Sequence, residues 1–274
     1  MTLLTALCKL QLLALQEMQV PALQGLVRRR ILVNFRVAPD VMERHLPAPF
    51  CTKLVDGWAL AGICLIRLEQ IRPRGFPTPL GLASENAAHR VAVTWTDATG
   101  TEQEGVYIPR RDTGALLNAV AGGRLFPGEH RLARFQVREE SELITLKLDT
   151  DDGQGDVWLR ARPARDLPTS SRFGSLDEAS DFFAAGAVGY SATSDQTRLD
   201  GLRLSTRVWR IQPLDVDWVV SSYFADRARF PAGTVEYDST LIMRDLPHEW
   251  QSVPCLRTSP RSTERELAPR LSPG

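Results

Sequence analysis

The feature that most constrains the fold is a series of short apolar and β-branched runs, each bounded by turn-forming residues. Such runs are typical of β-strands, and in the first half of the chain they are Ile31–Val37, Ala59–Leu68, Arg90–Thr96 and Gly105–Pro109. The four residues between the last two runs, 97–100, predict a hairpin turn. No linker or internal repeat divides the 274 residues, so we predict one α+β domain, mainly antiparallel β, built around a curved or closed sheet.

The second half of the chain continues this pattern. Further strands are predicted at Leu143–Leu148, Val157–Ala161, Arg203–Ile211, Trp218–Phe224 and Val235–Met243. The acidic stretch 149–156, between the first two of these, resembles a calcium-binding loop in composition. Its glycine comes too early for an EF-hand and no glutamate follows at the required distance, so we predict a plain hairpin turn.

Helix signals are fewer than strand signals. Asp40 is expected to cap a helix at Val41–Leu46, and a second helix is expected at Thr113–Ala121, which ends at two consecutive glycines. The clearest signal is a capping box, in which a serine is followed three residues later by Glu178. It predicts a helix at Ser175–Ala185.

Both ends of the chain differ from the region between them. Residues 1–20 are leucine-rich but too polar to span a bilayer. They are interpreted either as an amphipathic helix that packs on the domain, a partner or a second copy, or as the product of a start codon placed too early, with translation beginning at Met18. Residues 257–274 are rich in Arg, Ser and Pro without hydrophobic periodicity and predict a disordered tail. The expected single domain therefore spans residues 21–256.

Charge and motif content exclude several classes of function. The chain has 33 basic and 33 acidic residues and a formal net charge of zero, which argues against nucleic acid as a partner. Its four cysteines and four histidines lack the spacing of a zinc site or a small disulfide framework. Walker, dinucleotide-binding and nucleophile-elbow motifs are missing. We therefore expect a cytoplasmic protein with reduced cysteines, no metal and no cofactor.

Polar residues, arginines above all, are concentrated in four turn-like segments: 28–30, 84–86, 108–113 and 122–131. The rigid guanidinium fork suits carboxylate recognition, so these clusters predict a site for a small organic acid. A structural interpretation stays open beside this one. In it, Arg110, Arg111, Asp112 and Arg124 form an ion-pair network that holds loops on the sheet.

Six segments carry a family resemblance: Arg29–Phe35, Glu85–Arg90, Gly105–Thr113, Gly122–His130, Gly186–Ser191 and Tyr237–Trp250. Together they make the chain resemble the uncharacterised DUF2071 family, whose members look like relatives of acetoacetate decarboxylase. The resemblance covers roughly four-fifths of the chain, and the step to the decarboxylase is a fold-level analogy. It implies a cone-shaped closed β-barrel with flanking helices and a pocket in the barrel.

The resemblance also implies roles for individual residues. Arg30 matches the arginine that binds the substrate carboxylate, and Glu85 matches one of two pocket glutamates. The second glutamate falls at or beside Cys64, and the reactive lysine falls on Arg131. Arg30, Cys64, Glu85 and Arg131 are expected to share one cavity. Arg110, Arg124 and His130, in the matching segments, complete the expected substrate-binding set.

The replacement of the lysine decides which chemistry is expected. Arginine is not deprotonated in proteins and cannot form an imine, and the only lysines, Lys9, Lys53 and Lys147, lie outside the matching segments. We expect a protein that binds a small carboxylate such as a keto acid, with Glu85 as a proton-transfer group. The alternative is a non-catalytic ligand-binding or accessory module. A homo-oligomer is the other expected association, with neither nucleic acid nor membrane as partner.

Overall fold

The computed structural model describes residues 22–77, 81–115, 128–194 and 197–258. The expected N-terminal helix, the glycine pair at 122–123, Arg124 and the tail from residue 259 lie outside these ranges. Within them the chain forms thirteen strands and three helices. The strands are β1 Leu23–Val37, β2 Cys51–Thr52, β3 Leu54–Val55, β4 Trp58–Pro73, β5 Leu82–Thr96, β6 Glu102–Thr113, β7 His130–Glu140, β8 Leu143–Thr150, β9 Val157–Pro163, β10 Val188–Ala192, β11 Arg198–Thr206, β12 Gln212–Ser221 and β13 Val235–Arg257. The helices are α1 Pro39–Glu43, α2 Leu176–Ala185 and α3 Ser222–Ala225.

The strands pair into one large sheet in the order β11-β10-β6-β7-β8-β9-β12-β13-β1-β4-β5-β2, with β3 beside β4. Two further pairings join β5 to β6 and β11 to β13. Only β6–β7 and β6–β10 are parallel among the described pairs, so the predicted mainly antiparallel sheet is confirmed. The hairpin between β5 and β6 is confirmed too, and its turn is held by the carboxylate of Asp97, which accepts from the backbone N–H groups of Thr99 and Thr101.

The long strands are buried on both sides because they separate two apolar cores. In β1, every residue from Ile31 to Val37 is buried. Alternate side chains of a strand point to opposite faces, so Ile31 and Val33 enter one core cluster and Leu32 enters the other. We call the side of the sheet that carries Ile31 the first face and the side that carries Leu32 the second face.

Helix α2 covers part of the second face. Its predicted position is confirmed: the Ser175 hydroxyl accepts from the backbone N–H of Glu178 at 3.1 Å and caps the helix. Phe183 is buried in the second-face core, and Phe182 packs against it. The helix therefore forms a roof over the sheet where β5 and β6 pass beneath it.

Several predicted boundaries need correction, and strands β1, β4, β5, β6 and β13 extend beyond the predicted runs. The first helix is Pro39–Glu43, because Pro39 occupies its first turn, and Asp40 lies inside that turn rather than at the cap. Thr113 does not begin a helix, since it is the last residue of β6, and residues 116–121 lie outside the described ranges.

β11 ends at Thr206, not Ile211. β12 ends at Ser221, which caps the short helix α3 within the predicted Trp218–Phe224 strand.

The acidic stretch 149–156 connects β8 to β9 as a hairpin, as predicted. The carboxylate of Asp156 accepts from the backbone N–H and hydroxyl of Thr150, and Gly153 takes a positive φ of 64° at the turn. In the described part of the chain, no helix has the length and apolar character needed to cross a membrane.

Candidate functional site

The strand registers divide the predicted site residues between the two faces of the sheet. Directly paired residues project to the same face, and one such row on the second face is Leu32, Cys64, Ala88, Arg111 and His130. Neighbouring rows place Arg30 and Arg90 on this face as well. The second face therefore combines three arginines, a cysteine and a histidine.

Arg30 and Cys64 lie together, as the resemblance implied. The Arg30 Nε donates to Cys64 Sγ at 3.1 Å, and the guanidinium lies 5.7 Å from the ring centre of Trp209. Its NH1 nitrogen is buried without a hydrogen-bond partner among the described residues. A strong donor of Arg30 is thus left without an acceptor in the described structure.

Arg90 is the residue that the sequence reasoning missed. It is only 4% exposed, donates to the side-chain carbonyl of Asn34 and lies 4.8 Å from the ring centre of Phe183. Its Nε and NH1 atoms have no hydrogen-bond partner in the described part of the chain. Burial lowers the pKa of Arg90 to about 10; Cys64 opposes this fall and the charge of Arg30 adds to it. The group remains charged at neutral pH. An isolated arginine in an apolar strand was the available signal.

Arg111 and His130 occupy the adjoining part of the second face. The Arg111 Nε donates to the Ser191 hydroxyl at 2.9 Å, and burial lowers the pKa of Arg111 to about 10. Burial, together with the charge of Arg111, lowers the pKa of His130 to about 4. His130 is therefore neutral at physiological pH, and Arg111 supplies the positive charge beside Cys64.

A cleft lies between the second face and helix α2. We call it the arginine cleft. It is narrow: only about 10 Å³ of it is open to the centre of a water-sized molecule, and the wider empty space of about 330 Å³ includes open solvent at its mouth. The residues that line it are Arg30, Lys53, Arg90, Ala92, Gly105, Val106, Phe182, Phe183 and Gly186. Two of the three basic side chains stack on the helix: Arg90 on Phe183, and Lys53, 4.4 Å from the ring centre of Phe182. Lys53 also forms an ion pair with Glu104.

Glu85 projects to the first face, away from Arg30 and Cys64. Its carboxylate accepts from Arg29 NH2 at 2.7 Å, and the other terminal nitrogen of Arg29 donates to Glu139 at 2.6 Å. Burial raises the pKa of Glu85 above its usual value, and the ion pair with Arg29 opposes that rise. Glu85 is therefore held by an arginine, but by Arg29 rather than by Arg30.

Arg110 and Arg131 also belong to the first face. Arg110 donates to the fully buried Asp112 at 2.8 to 3.1 Å and to Asp152 at 2.8 and 2.9 Å. Arg131 donates to the same Asp152 at 2.7 Å, with its side chain 51% exposed. The structural interpretation thus holds for Arg110 and Asp112, with Asp152 and Arg131 as further members. Arg111 contacts Ser191 instead.

The expectation of one cavity shared by Arg30, Cys64, Glu85 and Arg131 is wrong. Arg30 and Cys64 meet on the second face, whereas Glu85 and Arg131 sit on the first face, each in its own ion-pair cluster. The reason is the two-residue period of a strand, since Arg29 and Arg30 are adjacent and must point to opposite faces. Across the described residues, no group of three or more His, Cys, Asp and Glu side chains is arranged to hold a metal ion.

Several solved structures share this fold. An acetoacetate decarboxylase-like enzyme from Sphingomonas wittichii RW1 is 13% identical, with a TM-score of 0.56 over 87% of this chain and 93% of that one. The acetoacetate decarboxylase from Legionella pneumophila is 12% identical, with a TM-score of 0.56 over 88% of each chain. The enduracididine biosynthesis enzyme MppR, solved in complex with pyruvate, is 11% identical, with a TM-score of 0.55 over 89% of this chain and 93% of that one. At these identities the likeness shows the fold alone.

Sequence comparison gives the family. No curated protein matches the chain significantly. The model of the DUF2071 family, described as uncharacterized conserved proteins, matches residues 26–243, which is well over half of the chain. The chain therefore belongs to the DUF2071 family, and its fold is that of the acetoacetate decarboxylase-like proteins.

Proposed function

We propose that this protein binds a small organic acid, of the keto-acid kind, in the arginine cleft. The observation that carries the proposal is Arg90, a buried cation that contacts no carboxylate among the described residues and keeps two N–H groups without a partner. A buried charge without a compensating group is costly. A carboxylate bound between Arg30 and Arg90 would supply the missing acceptors. A structural neighbour that was solved with pyruvate supports this ligand class.

The architecture and cellular setting form part of the same proposal. The pairings β5–β6 and β11–β13 connect strands that are distant in the sheet order, which supports a sheet closed into a cone-shaped barrel. Cys64 and Cys255 carry free thiols, which is consistent with a cytoplasmic protein.

Ligand-induced stabilisation tests the proposal. Pyruvate, 2-oxobutanoate and acetoacetate are added to the protein in a thermal unfolding assay, with sodium chloride at matched ionic strength as the control. A ligand that binds only the native state at 100 times its Kd adds about 2.7 kcal/mol to the free energy of unfolding. We expect Arg30→Gln to abolish the stabilisation. Arg162→Gln on β9, which removes a partly exposed ion pair with Asp217 on β12, should retain it.

A second candidate function, proton transfer by Glu85, is supported by a separate observation. Glu85 is mostly buried, its pKa is raised, and the cluster around it reaches solvent through the partly exposed Glu139 and Arg244. A general acid or base must lie within hydrogen-bond reach of its substrate. Glu85 would therefore act at the first face, beside Arg29, and not in the arginine cleft. No carboxylate is among the described residues that line the cleft, which favours a binding role there.

Isotope exchange separates the two functions. Keto acids are incubated with the protein in deuterated water, and exchange of the hydrogens next to the carbonyl is followed by NMR. Proton transfer by Glu85 predicts exchange that is lost in Glu85→Gln while binding in the arginine cleft persists. Exchange that survives Glu85→Gln would show that Glu85 does not transfer the proton. If the unmodified protein binds keto acids without exchange, the protein is a non-catalytic binding module.

A further inference from the structure

The charge balance of the arginine cleft narrows its ligand class. Of the three cations that line it, Lys53 is paired with the carboxylate of Glu104. Arg30 and Arg90 have no carboxylate within ion-pair distance among the described residues, and their neighbours are a thiol, an amide and aromatic rings. Two positive charges therefore face the cleft with no carboxylate paired to them in the part of the chain that the structure describes.

Their donor groups are also incompletely used. Arg30 NH1 and the Nε and NH1 of Arg90 are buried and lack acceptors in the described structure. Their charges are close enough to influence one another. A carboxylate that bound only the guanidinium of Arg30 would leave Arg90 charged, buried and without an ion-pair partner. Leaving one charge of this kind without a partner is unfavourable, because its desolvation is not compensated.

Resting on the proposed function, we infer that the ligand of the arginine cleft is a dianion, a small molecule that carries two negative charges on oxyanion groups. A dicarboxylate would place one carboxylate on Arg30 and the other on Arg90. A phosphate ester would present its two charges and three oxygens to both arginines. The rings of Phe182 and Phe183 form the wall on the helix side and would pack against the apolar part of the ligand. The selectivity of the cleft then comes from charge number as well as from the carboxylate group itself.

Matched ligands test the inference by calorimetry on the unmodified protein. Succinate and butyrate have four carbons each and differ by one carboxylate, and inorganic phosphate at pH 7.5 is the probe for the phosphate source. We expect succinate to bind at least tenfold more tightly than butyrate, which corresponds to about 1.4 kcal/mol. Tighter binding of phosphate than of succinate would also support the dianion and assign a phosphate ester as its source.

Variants test whether the preference for succinate over butyrate arises in the arginine cleft. Arg30 is partly exposed, so Arg30→Gln should fold, and circular dichroism checks that it does. We expect it to reduce the succinate-to-butyrate ratio of affinities to within about twofold. Arg162→Gln is the matched control and should keep the full ratio. Loss of the ratio in both variants would overturn the assignment to the cleft.

Different results would overturn the preference for a dianion and the binding of small organic acids. Equal affinity for succinate and butyrate in the unmodified protein would overturn the dianion and leave the binding of small organic acids intact. If keto acids, succinate, butyrate and phosphate all fail to bind, the dianion and the proposed function fall together.

Discussion

The groups that a buried arginine contacts decide whether its charge stabilises the fold or is left for a ligand. Arg110 has a side chain only 7% exposed and is surrounded by the carboxylates of Asp112 and Asp152. Arg90 is equally buried but meets an amide and an aromatic ring. The first arrangement satisfies the charge within the protein and stabilises the fold. The second leaves the charge for something outside the chain, and this contrast separates structural from ligand-binding arginines.

Arg110→Gln should therefore be strongly destabilising. It leaves Asp112, which is fully buried, without its ion-pair partner, and breaking a buried pair in this way costs about 3 to 5 kcal/mol. Arg131→Gln is the comparison, because Arg131 contacts Asp152 at the surface and an exposed pair contributes about 1 kcal/mol or less. Urea unfolding measures both. Equal losses in the two variants would contradict the structural role of Arg110.

His89 makes stability depend on pH. It is fully buried on the first face, neither ring nitrogen has a hydrogen-bond partner among the described residues, and burial together with the charges of Arg110 and Arg229 lowers its pKa to about 3. The unfolded state, with an ordinary pKa near 6.5, binds the proton first. Stability is therefore complete above pH 6.5 and falls below it, by about 1.4 kcal/mol per pH unit for this group.

Urea unfolding at pH 7.5, 6.5 and 5.5 measures this dependence. Between pH 6.5 and 5.5 the variant His89→Phe should lose about 1 kcal/mol less stability than the unmodified protein, because the unfolded histidine is only half protonated at pH 6.5. The stability of the variant still falls with pH, because burial also lowers the pKa values of His130 and His248 to about 4. An unchanged slope would mean that His89 is hydrated or paired in the native protein.

At the scale of elements, sequence pattern predicted the strands but not their register. A largely apolar run such as Ile31–Val37, interrupted only by Asn34 and Arg36, identifies a strand buried on both faces. Near Glu85, however, both alternating sets of β5 contain polar and apolar residues, so the pattern does not tell which set accompanies Arg30. Register shifts between Val27 and Arg29 and between His89 and Val91 add to this uncertainty, because a one-residue slip exchanges the two faces.

The roof of the arginine cleft depends on the cap of α2. Ser175→Ala removes the hydroxyl that accepts from the backbone of Glu178, and loss of such a cap costs about 1 kcal/mol. Thr169→Ala, at an exposed position in the preceding segment, should cost less than about 0.5 kcal/mol. Chemical unfolding of both variants checks the difference. A cost for Ser175→Ala no larger than that for Thr169→Ala would show that the helix does not need its cap.

At the scale of the molecule, the fold is that of acetoacetate decarboxylase-like proteins while the lysine position implied by the resemblance holds Arg131. The structure adds one fact that the sequence did not reveal: Lys53 lines the arginine cleft. Lys53 is paired with Glu104, so its amine is engaged by a carboxylate of the protein. Lys53 lies near these arginines because the sheet pairs strands that are far apart in sequence. A short sequence motif contains no information about such pairing.

Borohydride trapping follows from this arrangement. The protein is treated with sodium borohydride in the presence of acetoacetate or pyruvate, and its intact mass is measured. We expect no covalent increase in mass, because the lysine position implied by the resemblance holds Arg131 and the described lysines are held in ion pairs, Lys53 with Glu104 and Lys147 with Asp149. A known lysine-dependent decarboxylase serves as the positive control. A reduced adduct at Lys53 that grows in proportion to turnover would make the protein a covalent enzyme.

The most direct measurement of the central claim is a crystal structure of the protein grown with a keto acid or succinate. The account predicts ligand density in the arginine cleft, under Phe182 and Phe183, with carboxylate oxygens about 3 Å from the guanidinium nitrogens of Arg30 and Arg90. Density beside Arg29 and Glu85 on the first face, with the arginine cleft empty at saturating ligand, would contradict it.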